Sequence, residues 1–196
     1  MSHSATPSLI PAFSPLDISR RSLGWQAAAV VAGTAVLALA SHIQVPMFPV
    51  PMTMQTLAVT LIGALYGWRL GAITVLAWLA EAWMGMPVTA TGSIGALLFV
   101  GPTAGYLISF PLVAALCGLL AERGWNGNRP VLAFVNMTLG NALCLAIGGA
   151  WLGAQIGVEK ALLLGVVPFL LGGLLKSVIG AVTLMALVRG KAGAAR

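Results

Sequence analysis

Charge is what this chain has least of. Asp, Glu, Lys and Arg make up 7% of its 196 residues, and four of them are acidic. Histidine is nearly missing, with His3 and His42 alone, so a catalytic or metal-binding imidazole cluster is excluded. Two cysteines, Cys117 and Cys144, fall inside apolar runs at no metal-ligand spacing and read as small packing residues. No Gly-x-x-x-x-Gly-Lys-Ser/Thr occurs, so ATP-driven work would fall to other chains. Residues 1–22 are polar, carry three prolines and lack the apolar core of a cleavable signal. They read as a short cytosolic tail. The net charge of +6 does not point to nucleic acid, because its cations sit at the ends of apolar runs and not on one aromatic-studded face.

What is abundant is apolar. A hydrophobic fraction of 59%, 24 glycines and a mean hydropathy of +0.99 place the chain among polytopic membrane proteins. Turn signals divide the apolar runs into about six helices: 24–41, 54–67, one following Arg69 and ending near Met84, 104–120, 131–152 and 161–188. The expected fold is an all-α integral membrane bundle. A membrane domain of six transmembrane helices over 23–190 is flanked by cytosolic tails at 1–22 and 191–196. With the N-terminus inside, the cytosolic segments hold Arg20, Arg21, Arg69, Arg123, Arg129, Arg189, Lys191 and Arg196, against Lys160 outside. That asymmetry follows the positive-inside rule and predicts both termini in the cytoplasm.

The same topology puts two uncharged segments outside, 42–53 and 85–103, both rich in Pro, Gly, Thr and Ser. Irregular backbone at membrane depth survives only where it lines a cavity or is buried in protein, so these read as a lid or pocket wall. Thr53, Gln55 and Thr56 bring hydroxyl and amide groups to the mouth of the second helix. Gly92 and Ser93 sit in the glycine-rich stretch, where backbone N–H groups can approach a ligand. Tyr106 adds a ring and a hydroxyl at the same level. Met52, Met54 and Met86 are candidates for apolar walls.

Lys176 is the least expected residue. It lies about 20 Å of helix from either end of the last apolar run, too deep for its ammonium to reach water along its own stem. Such a charge faces a pocket, a partner or a bound anion. Glu81, near the external end of the third helix, is a candidate counter-charge for it. Asn136 and Asn141 in the fifth helix are either ligand groups or helix–helix ties. In the first helix, Ala28 and Ala32 are small residues one turn apart, a surface for close approach by another helix.

The run Pro49-Val50-Pro51-Met52-Thr53-Met54-Gln55-Thr56-Leu57, followed by Gly101-Pro102-Thr103-Ala104-Gly105-Tyr106-Leu107, strongly resembles the BioY family. That family comprises the biotin-specific substrate-binding subunits of energy-coupling-factor vitamin transporters. The resemblance spans about 46–176. It implies six helices, an external biotin pocket, no chemical change to the substrate, no covalently bound cofactor and a place in the cytoplasmic membrane. It also implies ATP-hydrolysing and coupling membrane subunits on other chains, for which Ala28 and Ala32 are the candidate docking face; self-association is allowed. One position departs. The family's last helix resembles Pro-Gly-Asp-Leu-x-Lys, whereas here Gly173 stands at the acid position of Leu171-Gly172-Gly173-Leu174-Leu175-Lys176. Biotin offers two ureido N–H donors, a carbonyl and a carboxylate, so a site needs an acceptor as well as a cation. Glu81 is the expected substitute acceptor. Thr53, Gln55, Gly92, Ser93, Tyr106, Asn141 and Lys176 complete the expected ligand set, with no catalytic and no metal-binding residue.

Three rival readings carry weaker sequence support. An intramembrane serine hydrolase would need His42 to reach Ser93 as a base. A stand-alone transporter or channel would be signalled by inverted repeats or a row of intramembrane carboxylates, and neither is present. A binding subunit for another small vitamin would share the architecture but not the two external motifs.

Overall fold

The computed structural model describes Leu16, Ile18, residues 21–92 and residues 94–194, with the side chains of 191–194 left aside. Helix α1 (Leu23–His42) leads into a two-residue antiparallel hairpin, β1 (Gln44–Val45) and β2 (Met52–Thr53), with Gln44 opposite Thr53. Three prolines lie between or just beside these strands, and each removes a ladder donor, which keeps the hairpin short. Then come α2 (Gln55–Tyr66), α3 (Trp68–Trp83), a 3₁₀ turn (Gly95–Phe99), α4 (Ala104–Glu122) and α5 (Pro130–Ile156). A four-residue α6 (Val158–Ala161) runs through a wide π-type turn (Leu162–Val166) into α7 (Val167–Ala194).

The helices α1, α4, α5 and the continuous α6–α7 rod are long and apolar enough to cross a membrane. Helix α2 has 12 residues, about 18 Å at ~1.5 Å per residue, too short to span alone. It does not have to meet lipid. Nine of its residues are buried, packed by α3 and α4 with help from α1, α5 and α7. Helix α4 is the other central element, contacting α2, α3 and α5. Of the four long helices the final rod is the least buried and α4 the most, and the rod leans on α5 and α2.

Six expected helices are therefore present, with differences at their edges. Helix α3 begins at Trp68, before Arg69, because Gly67 (φ 84°) turns the chain in a single residue between α2 and α3. The last helix starts at Val158, earlier than expected, and widens before Pro168. Proline has no N–H for the Leu164 carbonyl and its ring crowds that position, which a π-type turn relieves. The hairpin was not legible as strands, since two residues carry no alternation to read.

The hairpin and the 84–103 segment close the same end of the bundle. Ser41 Oγ and Trp78 Nε1 both donate to Val88 O, at 2.9 and 3.1 Å. Gln44 Nε2 reaches Ala90 O, while Trp151 Nε1 and Gln155 Nε2 hold Gly101 O and Val100 O. The segment is thus tied to α1 and α3 on one side and to α5 on the other. Arg21, Arg69, Arg123, Arg129 and Arg189 collect at the opposite end, where Arg69 lies 5.0 Å over the Trp68 ring. Glu122 there caps the Trp68 N–H at 3.1 Å.

Candidate functional site

A cavity lies beneath the hairpin and the 84–103 segment, walled by α2, α4, α5 and α7. Three helices present one face each to it, at helical spacing. Helix α4, with the residue before it, contributes Thr103, Tyr106, Leu107 and Phe110. Helix α5 contributes Asn141, Cys144 and Leu145, and α7 contributes Phe169, Gly173 and Lys176. Val50 and Pro51 from the hairpin, with Thr89, Ala90 and Thr91 from the second segment, form the roof.

Lys176 is 8% exposed and ends in this cavity. Its Nζ donates to Thr53 O at 2.6 Å and to Thr56 Oγ1 at 3.2 Å. These oxygens come from the turn that opens α2, so the deep cation is held by the proline-rich entry and not by a carboxylate. An ammonium has three donors; two are engaged among the described residues, and a third can meet a ligand acceptor. Beside it, Thr53 Oγ1 donates to Gln55 Oε1 at 3.0 Å and accepts from the Gln55 N–H at 3.3 Å. Gln55 is 5% exposed, and its Nε2 has no partner among the described residues. An orphan buried donor next to a cavity wall is worth about 1–3 kcal/mol to whatever acceptor can satisfy it.

The remaining wall is apolar and held in place. Tyr106 Oη donates to Gly165 O at 2.8 Å, a carbonyl inside the π-type turn, and its ring stacks on Phe169 with centroids 6.3 Å apart. Gly148 lies flat against that ring, where a Cβ would strike it. Trp78 backs Phe110 at 6.2 Å. The result is a slot with apolar sides and a small number of directed polar groups, the pattern of a small-molecule binding site.

Thr53, Gln55, Tyr106, Asn141 and Lys176 all line this one cavity. Glu81 does not. The buried face of α3 runs through Thr74, Val75, Trp78, Leu79 and Ala82, and Glu81 falls off it, half-buried and outside the cavity. No ion pair joins it to Lys176. Both the counter-charge and the substitute-acceptor roles are therefore corrected. Gly92 is also off the cavity wall, exposed at φ 63° with its N–H on Thr89 O, because it forms the tip of a turn. Ser93 lies outside the described residues. The methionine walls are corrected too: Met52 packs where Gly172 leaves space, Met86 is 47% exposed, and Met54 does not line the cavity. Asn136, fully buried, ties α5 to Cys117 O and Trp125 O at 3.0 and 3.1 Å, the helix-tie role.

Phe110, Phe169, Leu107, Leu145 and Cys144 were not anticipated. The signal that finds them is periodicity counted outward from a polar residue already suspected. From Tyr106, Asn141 and Lys176, steps of three, four and seven reach all of them but Leu107, which lies four residues after Thr103 on the same wall.

A family model described as the BioY family matches residues 15–192. The chain is 32% identical over 143 residues to the "Probable biotin transporter BioY" of Pyrococcus horikoshii, covering 73% of this chain and 83% of that protein. It is 34% identical over 149 residues to the "Biotin transporter BioY" of Thermotoga maritima, covering 76% and 86% respectively. The protein of that name from Rhodobacter capsulatus is 38% identical over 144 residues, 67% of this chain and 75% of its own. Among solved structures, the crystal structure of the S-component for biotin from an ECF-type ABC transporter superposes with a TM-score of 0.73 at 23% identity. That match covers 86% of this chain and 95% of the other, and it shows a shared fold.

Proposed function

Because the chain belongs to the BioY family, we propose that it is the membrane subunit that captures biotin and mediates its uptake with energy-coupling subunits. It is a multi-pass membrane protein, and the cytoplasmic membrane is its place in this reading. Biotin enters from the hairpin end, which faces outside, while the arginine-lined end faces the cytoplasm in keeping with the positive-inside rule. ATP-hydrolysing and coupling membrane subunits on other chains supply the energy, and α1 offers them Ala28 and Ala32. No bond of the vitamin is made or broken.

The observation that carries the reading is the chemistry of the cavity. Its apolar walls suit a thioether ring and an aliphatic chain, and its polar groups are few and directed. Among the described residues, Lys176 supplies a buried cation with an N–H to spare, Gln55 an unpartnered amide donor, and Asn141 an amide on the facing helix. The 84–103 segment, tied at both margins, covers the ligand and slows its escape.

The test is equilibrium binding of biotin to the purified, detergent-solubilised chain, wild type against Lys176→Ala. Saturable binding that the substitution weakens by at least 10-fold is the expected result. Wild-type protein that binds no biotin overturns the reading; binding untouched by the substitution removes Lys176 from the site.

A further inference from the structure

Asn141 projects an amide into the cavity, and its surroundings fix which atom of that amide faces inward. Its Nδ2 donates to Met137 O at 3.0 Å and to Ser177 Oγ at 3.2 Å. A carbonyl oxygen can only accept, so the nitrogen must be the atom beside Met137. Ser177 Oγ gives its single proton to Gly173 O at 2.8 Å, and therefore meets Asn141 as an acceptor. Both amide hydrogens are engaged, one within α5 and one across to α7. Turning the amide over would set Oδ1 against a carbonyl oxygen and take the donor away from Ser177 Oγ. Oδ1 is thus the inward atom, and no donor reaches it among the described residues.

Gly173 decides whether that oxygen can be reached. A Cβ built there would lie 3.7 Å from Asn141 Cβ, 3.8 Å from Cγ and 3.9 Å from Oδ1, ordinary contact distances. A methyl group would fit, and anything longer would grow across the amide. Glycine leaves its face open to the cavity that both residues line.

We propose, resting on the biotin reading above, that Asn141 Oδ1 accepts an N–H of the ligand's ureido ring, and that Gly173 gives the ring access to it. Asn141 then sets specificity for a ring bearing N–H donors. A ring of the same shape without them leaves Oδ1 buried and unpaired, and binds about 10- to 100-fold more weakly. A neutral acceptor does this without placing a second charge in the membrane beside Lys176.

The experiment compares two ligands on the detergent-purified chain: biotin, and the isosteric cyclic carbonate in which oxygen replaces both ureido N–H groups. Wild type should prefer biotin by about 10- to 100-fold. In Asn141→Leu, the preference should vanish or reverse: biotin affinity falls because its N–H groups then face leucine, and carbonate affinity rises because no acceptor is left unpaired. Gly173→Ala, whose methyl the packing admits, keeps the test open if Asn141→Leu does not fold; biotin affinity should drop several-fold with the carbonate little affected. A biotin preference that survives in the variants overturns the proposal. So does an equal loss of both ligands, which would make Asn141 a tie between α5 and α7 only. Wild-type protein that binds neither ligand overturns the biotin reading itself.

Discussion

Gln55 shows how a single side chain can be shaped for an absent partner. Its carbonyl is satisfied by Thr53, its nitrogen by nothing among the described residues, and it is 95% withdrawn from solvent. Replacing Gln55 by Met removes the orphan donor but also strips the Thr53 hydroxyl of its acceptor. These effects oppose each other, so ligand-free stability should change by about 1 kcal/mol or less. Biotin affinity should fall about 10-fold, because the ligand acceptor then meets a thioether. Thermal unfolding in detergent with and without biotin checks both halves: the ligand-free midpoint holds and the biotin-induced shift shrinks. At this scale the sequence told much. Lys176 stood out because an uncompensated charge in a long apolar run has few explanations. Glu81 misled for the complementary reason. Charge made it conspicuous, but whether it faces in or out depends on the rotation of α3, which a single carboxylate does not reveal.

The elements meet where small residues permit it. Tyr106 is pinned by the Gly165 carbonyl, by Phe169 and by the bare face of α5 at Gly148. Gly148→Ala should therefore drive the ring into the cavity or α5 away from α4, costing about 1–3 kcal/mol as overpacking does. Biotin affinity should fall with it. Thermal unfolding and a binding isotherm of the same sample read the two effects, and full tolerance of the methyl would show that the Tyr106 ring is not fixed. Five of the six helices were expected within a few residues of where they lie, since long apolar runs with Gly and Pro between them are strong signals. The hairpin and the π-type turn were not foreseen. Each is a local response to proline, and its form depends on which neighbour accepts the freed groups.

Across the whole molecule, α1 has two faces. Gly33 and Leu37 pack inward, and Tyr66 Oη reaches Ala29 O at 3.0 Å. Ala28 and Ala32 remain exposed, beside a groove shared with Trp25 and Tyr66. Bulky replacements there, Ala28→Leu with Ala32→Leu, should leave biotin binding within about 2-fold, since neither residue touches the cavity. Uptake in cells that also make the energy-coupling subunits should be lost. Binding lost together with uptake would mean that this face supports the bundle itself.

A bundle of about six membrane helices, where most of them begin and end, which end gathers cations, and the need of a deep lysine for a partner were all legible along the chain. Those properties follow from the solvent, because a bilayer imposes length, apolarity and charge placement residue by residue along the chain. Tertiary structure alone decided that Thr53 O and Thr56 hold Lys176, that Glu81 stands apart, and that Gly173 opens a path to Asn141. Each of these rests on the rotation and approach of helices far apart in sequence, and those are settled by how whole faces pack rather than by any one residue.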